Sequence, residues 1–111
     1  MIYILRIAAF TSIFLLAACS TIHVGQDFDL RTFEAKIERG VTTQDQVRAW
    51  LGAPTGTGIN VDTAGEQFDE WTYYSASGRM PDLAGAKVKI LQIKFDKQGI
   101  VRGYNWSNPG Q

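Results

Sequence analysis

The chain is short of nearly every residue pattern that announces a chemical activity. One cysteine in 111 residues, Cys19, excludes an internal disulfide framework and any cluster of cysteine ligands. The one histidine, His23, stands in a polar stretch with no second base or ligand beside it, and reads as a solvated side chain. Charge of either sign is not in excess, with 11 Lys+Arg against 11 Asp+Glu. That balance removes the counterion-driven case for binding nucleic acid. Long apolar runs are lacking as well: Ile7–Ala18 stops after twelve residues, whereas a membrane-spanning helix needs roughly 20. What remains is a chain with 45% hydrophobic and 20% charged residues, inside the globular range and long enough for one small, modestly stable domain.

The first residues read as an address. Met1–Arg6 carries one positive charge, Ile7–Ala18 is apolar apart from Thr11 and Ser12, and Leu16-Ala17-Ala18-Cys19 closes the run. A charged start followed by a short apolar segment is the layout of a signal peptide. The closing four residues resemble the bacterial lipobox, in which small residues precede a cysteine that receives diacylglycerol before cleavage. The resemblance implies that residues 1–18 are removed and that Cys19 becomes the acylated first residue of the mature lipoprotein. Several acyl chains, at about 0.8 kcal/mol per buried CH₂, anchor durably where a single chain is marginal. Serine rather than aspartate follows the cysteine, which under the rule known for enteric-type bacteria implies the outer membrane. Residues 19–28 are expected to be the lipidated cysteine and a flexible tether that lets the domain stand off the bilayer.

The domain is expected over residues 29–107, with 108–111 as a tail. Asp29 is placed to cap a first helix whose apolar residues Leu30, Phe33 and Ile37 share a face, with Gly40 as its left-handed terminator. Thr43-Gln44-Asp45-Gln46 fits the capping box of a second helix. Asp45 there complements the helix dipole. Val47, Trp50 and Leu51 form its apolar stripe, and Gly52 and Pro54 stop it. Thr55–Gly65, with three glycines and no lysine of the phosphate-binding kind, is expected to be a loop. The rest alternates as strands do: Gln67–Ser75, Lys87–Phe95 and Ile100–Trp106, the last two joined by a hairpin turn at Asp96-Lys97-Gln98-Gly99. The expected fold class is α+β, with two N-terminal helices packed on one face of a three-stranded antiparallel meander. Trp50, Trp71, Leu91, Ile93 and Phe95 are its expected core.

Catalysis needs a nucleophile with a base, or paired carboxylates in a supported site. Neither is present. Asp69 and Glu70 are neighbours in a strand and point to opposite faces. Asp62, Glu66 and Asp69 lack the spacing of a calcium loop. No catalytic residue, metal site or cofactor is therefore expected. The residues suited to docking a partner are aromatic and sulfur-bearing: Trp71, Tyr73 and Tyr74 on the first of the three strands, with Met80 and Leu83 in the linker after it.

Taken in order, several short motifs resemble one family. Gly40-Val41-Thr42-Thr43, Val47 and Leu51-Gly52-Ala53-Pro54 resemble the G-x-T-T…V…L-G-x-P signature of the SmpA/OmlA (BamE-like) domain. Trp71-Thr72-Tyr73 resembles the family's W-x-Y strand, and Phe95-Asp96…Gly99-Ile100-Val101 its last hairpin. The resemblance covers about Phe33 to Tyr104. It implies a two-helix, three-strand lipoprotein domain, exposed to the periplasm, that scaffolds outer-membrane β-barrel assembly and binds protein subunits of that machinery. The family's Tyr and Q-G-N step ahead of the first helix is reduced here to Gly25-Gln26. A second binding reading stays open: a standalone periplasmic inhibitor or envelope-protection lipoprotein. Secreted β-lactamase inhibitors have a similar helix–helix–strand repeat, of which this chain has one copy.

Overall fold

The computed structural model describes residues 21–80 and 84–108. Cys19 and Leu83 lie outside the described residues. Five strands and two short helices follow one another as β1 (Thr21–Gly25), α1 (Leu30–Lys36), α2 (Gln44–Leu51), β2 (Gly56–Val61), β3 (Gln67–Arg79), β4 (Ala84–Phe95) and β5 (Val101–Ser107). All the strands join one antiparallel sheet. The expected three-stranded meander is therefore corrected to a five-stranded sheet. The two extra strands come from the segments expected to be a tether and a loop.

Both extra strands lie on the same edge of β3, end to end. β1 pairs with Ser75–Arg79 and β2 with Gln67–Thr72. The helical hairpin is thus an insertion between two collinear edge strands, leaving at Gly25 and returning at Gly56. The gap falls at Tyr74, where the Thr55 hydroxyl accepts from the Tyr74 N–H at 3.0 Å and donates to its carbonyl at 3.4 Å. Gly25 holds the other side of the gap at φ +74°, and a Cβ there would stand 2.2 Å from the Tyr74 carbonyl oxygen. Only glycine lets the backbones approach this closely.

Local chemistry accounts for the helices. Asp29 caps α1 by accepting from the Thr32 N–H at 3.0 Å, and the Thr32 hydroxyl donates to the same carboxylate at 2.6 Å. The helix stops at Ile37, before the expected terminator Gly40. The Thr42 hydroxyl explains why, because it takes the Glu38 N–H at 2.9 Å and removes it from the helical ladder. The positive φ of Gly40 instead serves the turn between the helices, where its N–H donates to the Val101 carbonyl at 2.8 Å. Val101 and Gln44 N–H groups donate to Thr42 and Gly99 carbonyls, so the connector is stitched to the start of β5. At α2 the capping box forms in both directions: Gln46 N–H to the Thr43 hydroxyl at 3.2 Å, and Thr43 N–H to the Gln46 side chain at 3.0 Å. Gly52 ends α2 at φ +81°.

Register decides the faces. Trp71 pairs with Ile93, and Tyr73 with Leu91, so these four share one face of the sheet. Phe28, Leu30, Phe33 and Val47 pack with them, together with Phe95 and Val101. A register shift beside Phe95 leaves Arg102 as the extra residue of β5. Trp50, expected as part of the core, is only half-buried at its margin, with the Lys36 ammonium 5.8 Å from its ring centroid. Side chains at the even-numbered positions of β1, of β3 and of β4 from Val88 onward project from the opposite face, away from the core cluster.

Candidate functional site

Two of the expected docking residues are core residues. Trp71 is buried, its ring 4.8 Å from that of Phe95 in an edge-on pair, with the Arg48 guanidinium 5.0 Å over it. Tyr73 is 2% exposed, and its hydroxyl donates to the Gly52 carbonyl at 2.8 Å. That bond ties the end of α2 to the centre of β3. Burial pushes the Tyr73 phenol up to about 12, with Arg48 acting in the opposite direction. Neither ring can meet a partner, because both lie on the core side of the sheet. Tyr74, one position on, is half-buried on the opposite face. Met80, at the end of β3, is exposed. The four expected docking residues that are described therefore do not form one surface.

The surface that is available is the face of the sheet opposite the core, and it divides along its length. Over β2 and the first half of β3 it is polar: Glu70 accepts from the Asn60 amide at 2.9 Å and from the Gln92 amide at 3.4 Å. Lys94 lies 5.1 Å over the Phe68 ring on the same side. Over β1 and the second half of β3 it is apolar. Val24, Ala76 and Val88 form one cross-strand row, and Tyr74 and Ile90 the next. Ile22, opposite Gly78, extends the patch. Ile22 and Val24 are 38% and 53% exposed. Their alternation with Thr21 and His23 is the signal that the sequence carried and that the tether reading passed over.

Several of the acidic residues are occupied by structure. The Asp62 carboxylate accepts from the Ala64 and Glu66 N–H groups, both at 2.9 Å, and so shapes the β2–β3 turn. Among the described residues no three acidic or histidine side chains gather into a metal-binding group. Asp96 accepts from the N–H groups of Gln98 and Ile100 at 2.9 and 3.0 Å, and from Arg102 Nε at 2.7 Å. Hydrogen bonds from Ile100 and then Arg102 hold its carboxyl below the usual 3.8, outweighing the opposing effect of burial. Asp27, bonded to Lys89, and Asp29, bonded to Thr32, are held low in the same way.

All three carboxylates are thus more acidic in the folded chain than in the unfolded one. Their stabilisation is present above the ordinary carboxylate pKa and is lost as pH falls through the lowered folded values. The melting temperature should stay level from about pH 7 to 5 and fall steeply below about pH 4. Thermal melts followed by circular dichroism check this. In Asp96→Asn the acid limb should be shallower than in the parent protein.

On the core side of the distal strands, His23, Arg31, Ser75, Lys87 and Lys89 line an open cleft of about 460 Å³. Its charge is partly spent: Lys89 is ion-paired with Asp27 and donates to the Phe28 carbonyl at 2.7 Å.

The stretch 34–105, about two thirds of the chain, matches the family model described as the outer membrane protein assembly factor BamE domain. The chain belongs to the BamE domain family. Neither curated proteins nor solved structures give a significant match. The match agrees with the motifs seen in the sequence, and the structure gives each a physical role in this BamE domain. In Gly40-Val41-Thr42-Thr43 the glycine makes the turn, Thr42 ends α1 and Thr43 caps α2. In Leu51-Gly52 the glycine carbonyl receives the Tyr73 hydroxyl, which joins that motif to Trp71-Thr72-Tyr73. The family is one of outer-membrane assembly factors, which fits a binding module. β1, at Thr21–Gly25, lies ahead of the matched stretch.

Proposed function

We propose that this BamE domain is a non-catalytic scaffold of outer-membrane β-barrel assembly, held on the periplasmic face of the outer membrane by acyl chains on Cys19. The observation that carries the reading is the family match over residues 34–105. The lipobox-like Leu16-Ala17-Ala18-Cys19 supports the anchor. The partner is a periplasmic protein or assembly subunit, docked on surfaces outside the Trp71–Tyr73 core.

Cross-linking in intact cells, followed by affinity recovery under denaturing conditions, tests the reading. Barrel-assembly subunits should be recovered as adducts. Adducts with a soluble periplasmic enzyme alone would favour the inhibitor reading. Recovery of the free monomer alone would sink both.

A further inference from the structure

Among the described residues, the apolar patch on the far face of the sheet has no partner within the fold. Its position relative to Cys19 limits what can cover it. β1 begins at Thr21, two residues after the cysteine. An extended chain spans at most about 3.6 Å per residue, so Thr21 lies within about 7 Å of the anchored cysteine. The headgroup layer on one side of a bilayer is itself roughly 6 Å deep. No length is left for a tether. Once acyl chains hold Cys19 in the membrane, the start of β1 is held at the bilayer surface.

The two faces of the distal arm differ in what they bring there. On the far face stand Ile22, Val24, Ala76, Val88 and Ile90, with Tyr74 beside them. None is charged, and a tyrosine with one wet end suits the membrane–water boundary. On the core-side face of the same three strands stand His23, Lys87 and Lys89, which keep that side in water. An element apolar on one side and cationic on the other is the pattern of structures that lie in the interface plane.

We propose that the β1–β3–β4 arm lies flat on the outer membrane, with Ile22 and Val24 inserted at the boundary between headgroups and acyl chains. The inference rests on the acylation of Cys19. It assigns to β1, which precedes the matched family stretch, the task of fixing the domain's orientation. The rest of the domain is then presented to the periplasm at a set angle.

The test uses the full precursor, processed in cells, purified and reconstituted into phosphatidylcholine vesicles. With Cys19 acylated, Val24→Cys supplies a single free thiol for an environment-sensitive fluorophore. Lys87→Cys supplies the control on the other face of the same arm. Both positions are exposed, so folding tolerates the labels. The Val24 probe should emit in the blue-shifted range of a nonpolar site. Spin-labelled phosphatidylcholine should quench it at least about threefold more than the Lys87 probe, as expected for burial at the headgroup boundary.

Water-like emission at both positions, with acyl chains found on Cys19 by mass spectrometry, would overturn the inference and leave the anchor standing. Nonpolar emission without quenching by lipid would mean that a second copy or another protein covers the face, which also overturns it. Quenching only when phosphatidylglycerol is added would place the attraction in headgroup charge instead of apolar insertion. An unacylated Cys19 with no vesicle binding would remove the anchor and the inference together, and the mass spectrum tells that case from the others.

Discussion

Replacing Phe33 with alanine should cost about 3–5 kcal/mol, the range for deleting a buried aromatic ring. Phe33 has no exposed surface, and its ring meets Tyr104 edge-on at 5.4 Å, so it joins α1 to β5. A seven-residue helix has little stability of its own and is held by the face it buries. With total stabilities of small domains at about 5–15 kcal/mol, the variant should stand close to unfolding at room temperature. Trp50→Ala provides the contrast. Trp50 is larger but lies at the margin of the core under Lys36, and its loss should cost about 1–2 kcal/mol, a partial burial term without a closed cavity. Urea unfolding of both variants beside the parent settles the order. A cost below about 1 kcal/mol at Phe33, or a larger one at Trp50, would show that α1 does not seat on the sheet as described.

That contrast shows how far the sequence could be read. The stripe of α1 and the capping box of α2 are local, set by residues three or four apart, and they were legible. So were the alternation of β4 and the turn at Asp96–Gly99, whose glycine has φ +77°. The end of α1 was not, because the group that stops it is the Thr42 hydroxyl, supplied from the next turn. β1 and β2 escaped for a different reason. β1 completes the open edge of β3 from about fifty residues away in sequence, and β2, though it forms a hairpin with β3, carries glycines that mask Ile59 and Val61. Such pairing depends on tertiary context more than on intrinsic propensity.

The candidate surface was misplaced by the same limit. Period-two alternation puts Trp71 and Tyr73 opposite Tyr74, but it is silent on which face the helices cover. The Tyr73–Gly52 hydrogen bond and the Trp71–Phe95 pair answer that, and both are contacts between distant segments. The exposed apolar residues were then to be sought on the other face, in the stretch that had looked like a tether.

Changing Cys19 to alanine should have the most complete effect of all. Acylation requires the thiol, so palmitate incorporation should fall to background and the precursor should keep residues 1–18. Each acyl CH₂ contributes about 0.8 kcal/mol to membrane partition, and losing all the chains removes the durable anchor. The twelve-residue apolar run left on the precursor is too short to replace them with a stable span of roughly 20 residues. Cys19 lies outside the stretch 34–105 that carries the family match. The domain's own melting transition should therefore be unchanged, which separates loss of anchoring from misfolding. Metabolic labelling, the size of the product on a gel and a thermal melt of the purified protein make the three measurements. Normal processing of the alanine variant would refute the lipobox assignment. It would also free Thr21 from the bilayer, and with that constraint gone nothing would hold Ile22 and Val24 against lipid.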